Sequence, residues 1–448
     1  MATADDQQQD SRADAGTRRV VWSSFLGSTL EFYDFFLYGL AAATVLSRQF
    51  FPSADPVAGA LAAFATFGAG FLARPVGAAV LGSLGDRIGR KRVLIGSLLA
   101  MGTATVLIGL LPGYATIGVA APALLVLARF LQGFSVGGEW AGAALMVLES
   151  APKRRRGLFA SSTGVGSMAG MLLATAAFAA CSQLPGGAFE DWGWRIPFLL
   201  SVAITALALY IRVRISEPEV FAEVQRRDQV ARRPVRQLFR TSWPSILRVA
   251  LMCLAESVPF YLATVWVLSY GPKYLGLDRS SLYVATIVSA GLGFVSLPFF
   301  GALSDRIGRR RLYLGAVAAT AVVSFPFFWA LQSGSVVLIG LAYIVLLNGG
   351  HDAISAIQSS YYPELFDVRV RFSGTALSRQ IGSMIGGGFA PFIATGLVAW
   401  SGGGWLPVAL YLVGATLISL VATVMSPETL HKRLDVVESA GSSTGSPV

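Results

Sequence analysis

Polar residues in this chain are gathered into short clusters, separated by apolar stretches of membrane-crossing length. A helix needs ~20 consecutive apolar residues to cross the hydrocarbon layer. Twelve segments meet that demand, near 20–46, 57–84, 93–112, 117–148, 158–184, 192–212, 246–271, 280–303, 312–332, 335–361, 373–399 and 404–425. Each predicts a helix, because a backbone in lipid must satisfy its own amides. The first seventeen residues are polar, with no apolar core before a small-residue cleavage site, so they read as a disordered tail and not a cleaved leader.

The pattern is also written twice. Residues 82–92 read GSLGDRIGRKR and residues 301–311 read GALSDRIGRRR, so Gly82, Asp86, Arg87, Gly89 and Arg90 return as Gly301, Asp305, Arg306, Gly308 and Arg309. Glu149 with Arg156 returns as Glu364 with Arg371, and Gly166-Ser167-Met168 as Gly382-Ser383-Met384. Parallel repeats of this kind build secondary transporters whose substrate sits between the halves. The division is a tail at 1–19, a six-helix half at 20–212, a linker at 213–245, a second half at 246–425 and a tail at 426–448. The expected fold is all-α and integral to the membrane, with twelve helices in two pseudo-symmetric halves.

Charge fixes the orientation. Twenty-two Lys and Arg residues lie in the loops after spans two, four, eight and ten and in the linker, against Arg48, Lys273 and Arg279 in the opposite loops, with Arg195 at a span edge. Basic loops stay inside, so both tails are expected in the cytoplasm and the chain in the inner membrane. Net charge +10 is thereby a topology signal and not a nucleic-acid footprint. Mean hydropathy of +0.62 and 13% charged residues exclude a soluble domain. Cys181 and Cys253 offer no metal spacing and read as packing residues. No phosphate loop is present, and no cofactor is implied.

Charges inside spans cost on the order of 2.5 to 3.5 kcal/mol each, so each one marks a buried pair or a water-facing site. Glu31, Asp34 and Tyr38 share one face of span one. Asp34 and Arg129 both fall near mid-span, which makes an ion pair between them plausible; it serves either as a proton-coupling element or as a permanent staple. Glu139 is a further carboxylate in span four, and Gln132 lies one turn from Arg129. Arg74 either binds an anion or snorkels to a span end, and Arg379 is a candidate for a substrate carboxylate. Asn348, His351, Ser355 and Gln358 form a polar stripe in span ten, read as substrate contact or as helix-helix hydrogen bonding. Gly166 and Gly170, with Gly382, Gly386, Gly387 and Gly388, are expected to form the sliding contact between halves.

The doubled G-x-x-x-D-R-x-G-R-[KR] loop resembles the signature of the major facilitator superfamily. EFYDFFLYG at 31–39, ARPVGAAVLGSLGDRIGRKR at 73–92, RFLQGFSVGGEWAGAALMVLESAPKRRRG at 129–157 and DWGWRIPFLLS at 191–201 resemble its metabolite:proton symporters, which include permeases for shikimate, α-ketoglutarate, citrate and proline or betaine. The Asn348, His351, Asp352 and Gln358 run is similar to the shikimate branch. That resemblance implies a major facilitator fold, symport of a small organic acid with protons across the bilayer, and a switching role for the doubled loop. Proton coupling would fall to Asp34, Arg129, Glu31 and Glu139, and substrate binding to Arg74, Tyr38, Gln132, Asn348, His351, Gln358 and Arg379. Span five, STGVGSMAGMLL, lacks the Gly-Pro element of antiporters, and the short final tail lacks the heptads of an osmosensor. A zwitterionic osmolyte or a di- or tricarboxylate is the alternative cargo. An acyltransferase would need a catalytic constellation that His351 and His431 do not supply. The chain reads as a monomer.

Overall fold

The computed structural model describes residues 4–52, 55–88, 90–137, 139–214, 242–367, 370–430 and 432. Twelve helical rods follow one another: α1 (Ala4–Thr44), α2 (Pro56–Ile88), α3 (Arg90–Leu110), α4 (Ala120–Val136, resuming as Glu139–Ser150), α5 (Lys153–Ser182), α6 (Ile196–Arg214), α7 (Trp243–Leu275), α8 (Arg279–Ile307), α9 (Arg309–Gln332), α10 (Val336–Glu364), α11 (Arg371–Trp400) and α12 (Leu406–Val424). Nine stretches among the described residues are long and apolar enough to cross a membrane, with shorter apolar windows at Ile95–Leu110 in α3 and Gly193–Leu207 leading into α6. The hydropathy of α1 is lowered by Glu31 and Asp34.

Each rod matches a span expected from the hydropathy, with one correction. α1 starts at Ala4, inside the segment read as a disordered tail. Ala, Gln and Arg are good helix formers, and Asp5 and Asp6 lie where an N-terminal helix dipole favours acids. The linker from 215 to 241 and most of the tail after 430 lie outside the described residues.

Lipid is the solvent for the outer faces. On α8, Val284, Val288, Leu292, Val295 and Phe299 recur at helical spacing and are exposed, while Ala290, Gly293, Leu297 and Gly301 are buried. Trp22 and Trp243 are exposed near one face of the bundle, and Trp192 and Trp400 near the other, as an interfacial belt requires. Arg195 explains its own motif: its guanidinium donates to the Gly109 and Leu111 carbonyls at 2.8 and 2.6 Å, closing the end of α3.

The glycine expectation needs correction. Gly166 and Gly170 bring α5 against the α1 backbone at Phe25 and Thr29, and Gly382 brings α11 against Ala250 of α7. Gly386 packs on Leu254 and Ser257 of α7 as well. These pairs consolidate each half from within. Contact between halves comes from the last two of the expected set, Gly387 and Gly388 on Phe71, and from Gly68 on Phe389, Gly164 on Leu297, and Gly157 on Gly301. Small-xxx-small spacing reports close approach without naming the partner.

Among the described residues, four π-helical turns break α7 (Leu262–Trp266 and Gly271–Leu275), α10 (Ile344–His351) and α11 (Met384–Gly388). Such turns often mark functional positions. Here three of them fall within a few residues of Tyr261, His351 and Arg379.

Candidate functional site

Close packing of α2 on α4 sets the N-terminal half of the site. Gly70 and Gly77 meet Gly133 and Phe134 backbone to backbone, which leaves the long side chains of Arg74 and Arg129 to lie over neighbouring rings. Arg129 is fully buried; its guanidinium carbon stands 4.0 Å from the Phe35 ring centroid, 4.2 Å from Tyr38 and 5.3 Å from Phe67. Cations over aromatic faces are stabilised most where water is absent. Tyr38 is held by its hydroxyl donating to Thr66 at 2.5 Å.

Asp34 and Arg129 do not form the expected ion pair. Asp34 accepts from Thr105 Oγ1 at 2.9 Å and from Ser201 Oγ at 2.7 Å, so α3 and α6 hold it from behind. Gln132 Nε2 donates to Thr105 Oγ1 at 2.7 Å, and Arg129 donates to Gln132 Oε1 at 2.5 Å. The two charges are therefore joined by a relay of one amide and one hydroxyl. A relay transmits position and polarisation while leaving the carboxylate free to change protonation without stripping the arginine of a salt bridge.

Arg74 does not snorkel. It is 2% exposed, 4.0 Å over Phe35 and 4.7 Å over Phe71, and 3.9 Å from Glu31 Oε1. Two arginines thus lie over one phenylalanine ring on α1. Glu139 is buried where α4 resumes.

In the C-terminal half, Arg379 lies 3.9 Å over Trp140 of α4 and 3.9 Å from Glu256 Oε1. Its neighbour Gln380 donates to the Gly137 carbonyl at 3.1 Å, a second bond between halves. His351 stacks on Phe260, with centroids 4.2 Å apart, and lies between Asp352 and Glu256. Asn348 donates to the Ser289 carbonyl at 2.9 Å and to Asp352 Oδ2 at 2.8 Å. The Asn348 amide nitrogen and both His351 ring nitrogens face protein acceptors, while Asn348 Oδ1 is buried without a hydrogen-bond partner. Gln358 is buried beside Tyr313.

Aromatic rings from both halves interlock around these charges. Phe36 meets Phe260 at 5.4 Å, and Tyr261 meets Phe67 and Phe71 at 5.6 and 5.5 Å. The halves also touch on both sides of the charges: Gly39 against Val265 toward one face, and Thr163 bonded to Ser359 at 2.6 Å toward the other. Glu256, Thr105, Ser201, Trp140 and Tyr261 were not among the candidate residues. Glu256 stands out as a charge in an apolar span; single hydroxyls and rings in such spans carry no comparable signal.

The doubled loop is described in its second copy. Asp305 accepts from the Gly157 and Leu158 amides at 2.9 and 3.0 Å, capping the first turn of α5 across the half boundary. Gly301 is required there, since a Cβ would stand 2.6 Å from the Gly157 carbonyl. Arg309 holds Asp305 at 2.8 Å and approaches Glu364 at 3.7 Å, while Gly308 adopts φ +105° and Arg306 is exposed. In the first copy, Gly89 lies outside the described residues, as do the side chains of Asp86, Arg87 and Arg90 and the surroundings of Gly82. A carboxylate at a helix N-terminus contributes roughly 0.3 to 2 kcal/mol. Asp305→Asn is therefore expected to favour opening at this face by on the order of 2- to 30-fold, read as faster labelling of a cysteine placed at residue 161. Substrate affinity should change far less.

Twelve helices in two repeated halves, closed around buried charges, define a secondary active transporter of the multi-pass membrane class. The chain belongs to the Major Facilitator Superfamily, whose family model matches residues 24–378; it is a transporter and not an enzyme. It is 40% identical over 427 residues to the Shikimate transporter of Escherichia coli (strain K12), covering 93% of this chain and 98% of that one. It is 36% identical over 377 residues to the Citrate-proton symporter of Klebsiella pneumoniae, covering 84% of each. The partially occluded inward-open xylose transporter XylE from E. coli matches with a TM-score of 0.71 at 16% identity, over 94% of this chain and 100% of that one, a likeness that shows the fold.

Proposed function

We propose that this transporter imports a small organic acid, shikimate or a related carboxylate, together with protons. The observation that carries the reading is a set of unused donors. Arg74 Nε, Arg129 Nε and Nη2, and Arg379 Nε are buried with no hydrogen-bond acceptor. Buried donors left unmade are costly, and a carboxylate satisfies guanidinium donors in pairs. A betaine-like cargo would instead need a free aromatic face for its cation, and the faces of Phe35, Phe71 and Trp140 already carry protein guanidiniums.

Asp34 is the proton carrier of this reading, and Arg129 senses its charge through Gln132 and Thr105. Rocking of the halves breaks the contacts on one side of the site and then the other, exposing it in turn. One chain supplies both halves of the site, which suits a monomer. Labelled shikimate, α-ketoglutarate, citrate and betaine offered to proteoliposomes with an inward proton gradient test the cargo. Uptake of a carboxylate that collapses with a protonophore is expected; uptake of betaine alone would overturn the reading.

We place the protein in the inner membrane with both ends in the cytoplasm, from the excess of basic loops on one face. Reporters at residues 10, 230 and 440 should register inside, and one at 187 outside. An outside signal at 230 would remove an odd number of spans from one half.

A further inference from the structure

We propose that Glu256, His351 and Asp352 form a second proton site, whose hold on its proton tightens when a substrate carboxylate engages Arg379; its coupling step rests on the organic-acid reading above. Imidazole Nδ1 faces Asp352 Oδ1 at 2.9 Å and Nε2 faces Glu256 Oε1 at 3.7 Å. A neutral imidazole donates from one nitrogen only, so a ring set between two carboxylates satisfies both when it carries two protons. The pocket is built to keep this arrangement. Phe260 stacks on the ring with an interplanar angle of 13°, Asn348 and Ser296 donate to Asp352 Oδ2, and Ser257 Oγ donates to Glu256 Oε2 at 2.8 Å.

Other groups facing His351 and its carboxylates are few. From α7 come Cys253 and Tyr261, from α11 Arg379, from α9 and α10 the phenols of Tyr313 and Tyr362, and from α8 the Ser289 carbonyl and the Ser296 hydroxyl. Arg379 is the lever among them. It reaches Glu256 only at 3.9 Å, keeps Nε unused, and rests on Trp140 of the other half. A carboxylate that takes up Arg379 weakens its hold on Glu256, and His351 becomes the cation that Glu256 needs. By linkage, proton binding then favours carboxylate binding by the same factor.

The chain has two histidines, so His431→Gln leaves His351 alone to report. In that background, ¹⁵N-histidine NMR of the full-length protein should show both ring nitrogens protonated at neutral pH. Glu256→Gln and, separately, Asp352→Asn should each return the ring to a neutral tautomer. A neutral ring in the parent protein, or one indifferent to both substitutions, would overturn the site. At an alkaline pH where the parent ring is partly deprotonated, shikimate should restore the second proton, and should fail to do so with Arg379→Gln. Shikimate that binds by calorimetry without moving the ring signal overturns the coupling. Shikimate that does not bind counts against the cargo reading, while the substitutions still decide whether the proton site exists.

Discussion

Asp34→Asn is expected to lower the accumulation of substrate by about tenfold for each pH unit of imposed gradient, the worth of one proton at about 1.4 kcal/mol. Exchange of external for preloaded internal substrate needs no net proton movement and should persist. The substitution is mild structurally. Thr105 and Ser201 each present a hydroxyl to Asp34, and a hydroxyl facing the new amide NH2 can turn and accept. What is lost is the change of charge, which in the wild type travels through Thr105 and Gln132 to Arg129. Paired uptake and exchange assays in proteoliposomes separate coupling from binding. A variant that accumulates substrate as steeply as the wild type clears Asp34 and moves the proton to Glu31 or to the His351 site. One that loses exchange as well makes Asp34 part of the binding surface.

Much of this site was legible because a bilayer makes charges conspicuous. Glu31, Asp34, Arg74, Arg129, His351 and Arg379 are each conspicuous in an apolar run, and all of them reach the buried centre. Their partners were less legible. The Asp34–Arg129 pair inferred from span depth is a relay, since Thr105 and Ser201 are ordinary residues of apolar helices until α3 and α6 pack behind α1. His351 was read from its own helical stripe, whereas its meaning comes from Glu256, almost a hundred positions away on α7. The glycines announced close contact without saying with which helix. Helix propensity overrode the polar composition at residues 4 to 19. In each case local pattern fixed the element, and non-local packing fixed the pairing.

Arg129→Ala should remove uptake and exchange together, with shikimate binding weakened roughly 10- to 150-fold, the worth of a charge-assisted hydrogen bond at about 1.5 to 3 kcal/mol. Several contacts fail at once. Tyr38 and Phe67 lose the cation over their faces, Phe35 keeps only Arg74, and Gln132 Oε1 loses its donor and, with it, the constraint that aims its amide at Thr105. Arg129→Lys keeps the charge but lacks the planar fork that stacks on rings and grips a carboxylate from two nitrogens, so it should rescue little. A gentler probe leaves the arginine intact. At Gly70 an added Cβ would stand 2.5 Å from Arg129 Nε, so Gly70→Ala displaces the guanidinium without changing charge. It should weaken binding in the same direction and by less. Calorimetric titration of the purified variants reads both effects. Normal affinity in Arg129→Ala would confine the anion site to Arg74 and Arg379, and leave Arg129 as a cation that serves the proton relay alone.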